Sequence, residues 1–120
     1  MHEHNPAAAP PMSVSAVRVP QAVGRRALEI LGPRNGAVIE CPQERFLFWF
    51  IPLGKRTEWD FAGSRALPVQ DLALPPLDVT GGPGRYWRVC PADDRWETCP
   101  DALCAALADA SKAVGQEASA

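Results

Sequence analysis

Histidine is almost missing from this sequence: among 120 residues the only imidazoles are His2 and His4, at the extreme N-terminus. Histidine is the side chain whose ordinary pKa lies nearest neutrality, so the body of the chain cannot assemble a Ser-His or Cys-His dyad. Cysteine occurs as Cys41, Cys90, Cys99 and Cys104. Only Cys99 and Cys104 approach the short pair spacing of zinc sites, and helical periodicity turns Cys99 toward a core, so no metal is expected. A long apolar run is also lacking: nothing approaches the roughly 20 residues of a spanning helix, and no membrane association is expected. The formal charge of -2 leaves no overall attraction to phosphate backbones or anionic lipid. The N-terminus "MHEHNPAAAPPM" has no basic stretch leading into an apolar one, which argues against a secretory signal and for a cytoplasmic protein with reduced thiols.

Other small motifs carry little. Glu58/Asp60 and Asp93/Asp94 are acidic pairs in connections, which reads as solvated loop rather than as a cation site. Gly81-Gly82-Pro83-Gly84 is followed by neither lysine nor helix and is not a phosphate loop. Catalysis therefore has no obvious machinery, and neither cofactor nor enzymatic activity is expected.

The elements that are present read clearly. Residues 1–12 are Pro/Ala-rich without periodicity and are expected to be a disordered arm. Ser13 to Val19 alternates as a strand does, with Ser13, Ser15, Val17 and Val19 on one side. Pro20 opens a helical stripe of Val23, Ala27, Ile30 and Leu31, which Gly32-Pro33 ends. Ala37 to Cys41 and the segment after Arg45 make a hairpin. Ala66 to Leu74 is a strand broken by Pro68, so it belongs at an edge or a bulge. Arg85 to Cys90 is a last strand. Thr98 then serves as N-cap of a helix with Cys99, Leu103, Ala106, Leu107, Ala110 and Val114 on one face, stopped near Gly115. The expectation is a single α+β domain over residues 13–114 with a frayed 115–120: an antiparallel sheet of about five strands, in the order β-α-β-β-β-β-α, with two helices on one face.

That architecture makes one stretch a problem. "ERFLFWFIP" places Phe46, Phe48 and Phe50 on one face of its strand and Leu47, Trp49 and Ile51 on the other. Helices on one side can bury only one set. The second set is covered by the chain itself, through the Trp59/Phe61 connection or the N-terminal arm, or it is an interface. In the interface case Leu47, Trp49 and Ile51 form the contact face, with Arg45 and Arg88 at its rim. The occupant is then a protein partner or a second copy, or the bases of a single-stranded nucleic acid flanked by arginines.

From Ala37 to Val89 the layout resembles the C-terminal half of the catalytic domain of bifunctional DNA primase-polymerases. The residues that carry the likeness are Phe46-Leu47-Phe48-Trp49-Phe50-Ile51-Pro52-Leu53-Gly54, then Leu72-Ala73-Leu74-Pro75-Pro76-Leu77, then Gly84-Arg85-Tyr86-Trp87-Arg88. It is similar, too, to small actinobacterial proteins of the same layout. The family's paired metal-binding aspartates have no counterpart before Glu40, and Glu44-Arg45 stands where it has a histidine. The resemblance implies a reduced, non-catalytic relative. Two functions follow as expectations: a small module that binds protein, or a degenerate module that binds single-stranded nucleic acid through its open sheet face.

Overall fold

The alternating stretch after Ser13 forms strand β1 (Val14–Pro20), and Pro20 also stands at the N-cap of helix α1 (Gln21–Leu31). The hairpin comprises β2 (Val38–Cys41) and β3 (Phe46–Pro52). Strand β4 (Arg65–Pro68), β5 (Tyr86–Val89) and helix α2 (Pro100–Ser119) complete an α+β fold. This computed structural model describes residues 13–52, 63–91 and 95–119. The expected N-terminal arm, the Trp59/Phe61 connection and the acidic pairs Glu58/Asp60 and Asp93/Asp94 lie outside the described residues.

The five strands are ordered β4-β1-β3-β2-β5, every neighbouring pair antiparallel. Strands β1 and β2 are consequently parallel, joined through α1 with β3 between them, which is a split β-α-β unit. The central position of β3 accounts for its composition: a strand flanked on both edges and covered on both faces has no wet side to make polar.

Both helices lie on one face, over Val17, Val19, Val38, Leu47, Trp49 and Ile51. Leu47, Trp49 and Ile51 each have 0 % of their surface exposed. The expectation that these three form an open contact face is therefore corrected: they are the set that the helices bury. The reason is register. Ser15, Val17 and Val19, the side of β1 that meets α1, pair with Ile51, Trp49 and Leu47. A shift of one residue would have exchanged the two faces. Gly24 on α1 permits the close approach, since a Cβ there would stand 3.1 Å from the Leu47 Cβ.

Trp49 also fastens the end of α1. Its indole Nε1–H donates to Asn35 Oδ1 at 3.0 Å, while Asn35 Nδ2 donates to the carbonyls of Leu28 and Gly32. The last carbonyls of a helix lack partners within it, and a buried indole N–H needs an acceptor. One asparagine meets both needs.

The second sheet face carries Phe46, Phe48 and Phe50. Its cover comes from the segment after β4, through Val69, Leu72, Leu74 and Leu77, and from Trp96. Trp96 stands edge-on to Phe50 and to Trp87, at 5.4 and 5.7 Å between ring centroids. The Trp96 segment is held by backbone: Ala37 N–H donates to Trp96 O, Thr98 N–H to Phe50 O, and Gly36 N–H to Thr98 Oγ1. Gly36 is required there, because a Cβ would meet the Glu97 carbonyl oxygen at 2.5 Å.

Several boundaries differ from the sequence reading. Strand β4 ends at Pro68 in a 3₁₀ turn (Val69–Asp71) rather than continuing to Leu74. Its place at the sheet edge, with a proline in it, agrees with the reading. Thr98 does not cap α2: its hydroxyl accepts from Gly36, the helix begins at Pro100, and Cys99 is exposed rather than core-facing. Ile30, expected in the buried stripe of α1, is 37 % exposed. Helix α2 runs through Gly115 to Ser119. A helical glycine costs only about 1 kcal/mol, which the good helix formers around it offset.

Candidate binding groove

Two polar arrangements sit on opposite sides of the sheet. On the helix side, β2 carries Glu40 between apolar neighbours, and its carboxylate is wholly buried. Oε2 accepts from Gln21 Nε2 at 2.7 Å and from Arg25 Nε and Nη2 at 3.0 and 2.8 Å. Oε1 accepts from the Tyr86 hydroxyl at 3.0 Å and from Arg88 Nη1 at 3.1 Å. A bulge in the β2–β5 ladder between Val38 and Ile39 helps to assemble this cluster: Val38 pairs with Val89 and Ile39 with Trp87, leaving Arg88 as the extra residue. Burial alone would raise the Glu40 carboxyl. The donors from Gln21, Arg25 and Tyr86 and the charge of Arg25 outweigh it and hold the group below its ordinary value of 4.5.

On the other side, the covering segment stops short of the end of the sheet where β3 begins. It leaves a groove of about 360 Å³ over Phe46 and Phe48, walled by Leu67 and Leu72. Two arginines reach over its floor. The Arg18 guanidinium carbon lies 4.5 Å from the centre of the Phe46 ring, and that of Arg85 lies 5.6 Å from Phe48. Arg85 is anchored to the Ala73 carbonyl and to Glu44. Arg18 Nε is buried and has no acceptor. Glu44 and Asp71 also line the groove, so its charges balance.

Beside it, a cleft of about 60 Å³ adjoins Cys41. Burial pushes the Cys41 thiol up to about 11, against the opposing pull of Arg85, so it is protonated at neutral pH and a poor nucleophile. Among the described residues no group of three or more His, Cys, Asp or Glu side chains converges as a metal site. No helix there is long and apolar enough to cross a membrane.

The five residues proposed from sequence do not form one surface. Leu47, Trp49 and Ile51 are core. Arg88 belongs to the Glu40 cluster. Arg45 is exposed in the β2–β3 turn with φ 64°, where its N–H donates to Cys41 O and its carbonyl accepts from Gln21 N–H, the first of α1. The structure adds residues that sequence reasoning passed over. Glu40 had a signal, a lone carboxylate inside an apolar strand, which demands partners. Arg18 had a fainter one, the charged residue in an otherwise small or apolar strand.

Comparison of the chain with protein-family models, with curated proteins and with solved structures finds no match.

Proposed function

We propose that this protein is a non-catalytic binding module whose ligand is a segment of a protein partner, seated in the groove over Phe46 and Phe48. The observation that carries this reading is the groove itself, lined half by apolar residues, Phe46, Phe48, Leu67 and Leu72, and half by charged ones, Arg18, Arg85, Glu44 and Asp71. Aromatic and arginine side chains grouped in this way are the usual anchors of protein contacts. The chemistry of the two perturbed groups supports binding over catalysis. Glu40 has both oxygens occupied by donors and acts as a fastener, and the Cys41 thiol is held in its unreactive form.

Single-stranded nucleic acid is the second reading, suggested by the primase-polymerase resemblance. Two features weigh against it at this groove. Arg18 and Arg85 lie over the ring faces on which bases would stack, and Glu44 and Asp71 face any phosphate that entered. A second copy of the chain is a further candidate occupant.

A random-peptide display selection against the whole chain tests the proposal, with Leu67→Glu as counter-target and sedimentation velocity as a check on self-association. The expected result is a peptide consensus that binds the parent chain and is lost on Leu67→Glu. Selection of no groove-dependent peptide, together with salt-sensitive binding of an oligothymidylate, would overturn it in favour of the nucleic-acid reading.

A further inference from the structure

We infer that Arg18 is the receptor for a carboxylate of the incoming segment, an Asp or Glu side chain flanked by apolar residues. This rests on the groove reading and sharpens it. Arg18 stands in the middle of β1 with its side chain on the second face, directly opposite Arg65 of β4. Like charges placed opposite one another across a ladder repel. Arg25 and Arg88 share Glu40, Arg26 has Glu29 and Arg85 has Glu44. Among the described residues neither Arg18 nor Arg65 has such a carboxylate. Arg34, Arg45 and Arg95 likewise bond no carboxylate among the described residues; what sets Arg18 apart is the like charge opposite it and its place on the groove.

Arg18 is also held in readiness. The guanidinium carbon lies 4.5 Å from the centre of the Phe46 ring, a contact that restrains the side chain at the groove. A guanidinium edge presents parallel N–H donors that match the two oxygens of a carboxylate. Its Nε is buried without an acceptor, so a carboxylate must displace some of the cover over that atom to satisfy it. The other charged residues of the groove select the kind of anion. Glu44 and Asp71 line the same space, which penalises a dianionic phosphate or a run of phosphodiesters more than a single carboxylate. Leu67 and Leu72 supply contacts for apolar neighbours of that carboxylate.

The test is a titration of the ¹⁵N-labelled whole chain with the capped pentapeptide Ala-Leu-Glu-Leu-Ala and with its Glu→Gln analogue. The Arg18 Nε–H resonance is the direct readout, and Leu67 and Leu72 methyl shifts report groove occupancy. The glutamate peptide is expected to shift the Arg18 signal saturably and to bind about tenfold more tightly than the glutamine peptide. Arg18→Met keeps an apolar stem over Phe46. It is expected to leave the thermal midpoint unchanged or raised, while abolishing the preference for glutamate. Equal binding of the two peptides, with the Leu67 and Leu72 shifts intact, would overturn the role of Arg18 and leave the groove reading standing. Absence of any groove shift with either peptide would overturn both. Tighter binding of inorganic phosphate or an oligothymidylate at Arg18 would overturn the carboxylate assignment alone.

Discussion

The two faces of the sheet are built from the same strand yet finished differently. Under the helices, Leu47, Trp49 and Ile51 pack against long regular surfaces from α1 and α2, and none retains any exposed area. On the second face, Phe50 lies under Trp96, Phe48 is 3 % exposed beneath Arg85, and Phe46 is only partly covered. A helix covers a sheet along its whole length, whereas an irregular segment covers it only where its own backbone is satisfied. The accessible surface of the sheet therefore lies where irregular cover ends, at Phe46.

The sharpest way to break this contrast is to place the same charge on each face. Trp49→Glu removes a fully buried ring, takes away the acceptor's partner at Asn35 and puts a carboxylate among aliphatic side chains. Burying an unpaired charge after losing such a ring exceeds the roughly 5–15 kcal/mol that a domain of this kind has in total, or comes close to it. Circular dichroism is expected to show no cooperative thermal transition for this variant. Phe46→Glu lies at the open end of the second face, beside Arg18, and is expected to fold with a destabilisation of no more than about 3 kcal/mol. A cooperative transition for Trp49→Glu near that of the parent chain would show the two faces to be equivalent.

The number and type of elements could be read from periodicity and punctuation, because alternation in Val14–Pro20 and the stripe through Val23, Ala27 and Leu31 are local signals. The assignment of faces could not. Both sets on β3 are apolar, so nothing in that strand says which one meets the helices. The answer lies in pairing with β1, a contact with no sequence-local trace. The groove was hidden for the same reason: Phe46, Leu67, Leu72 and Arg85 come from four separate segments. Glu40 was passed over although it had a local signal, since a carboxylate within "AVIEC" requires buried partners; which partners, Arg25 and Arg88 among them, only the tertiary structure names.

Removing that network is the next largest change. In Glu40→Ala the guanidiniums of Arg25 and Arg88, whose side chains are 55 and 42 % exposed, lose their shared acceptor but can turn toward water. The expected loss is therefore at the low end of the 3–5 kcal/mol typical of a broken buried pair, about 3 kcal/mol. The same contact gives a pH signature. A carboxyl held below 4.5 in the folded chain contributes stability that is present above that value and disappears as pH falls through the lower folded value. Urea midpoints measured downward from neutrality are expected to fall steeply below about pH 4.5 in the parent chain, and less steeply in Glu40→Gln. Parallel acid limbs for the two proteins would remove Glu40 as the helix-side fastener.

The smallest effect distinguishes two kinds of unsatisfied atom, one on each face. Ser15 Oγ is buried beneath the helices without a hydrogen-bond partner, as Arg18 Nε is in the groove. Ser15 pairs with Ile51 on one side and Pro68 on the other and is itself 0 % exposed. Its hydroxyl is thus a desolvated group with nothing in return. Ser15→Ala deletes one oxygen and no apolar contact, so stability is expected to rise by up to about 1 kcal/mol, a shift of several degrees in the thermal midpoint for a domain of this size. Arg18→Met is expected to match that gain while losing the discrimination between glutamate and glutamine peptides. If Ser15→Ala lowers the midpoint instead, the hydroxyl has a partner in solution, and an orphaned donor would no longer mark Arg18 as the place where a ligand must bring the acceptor.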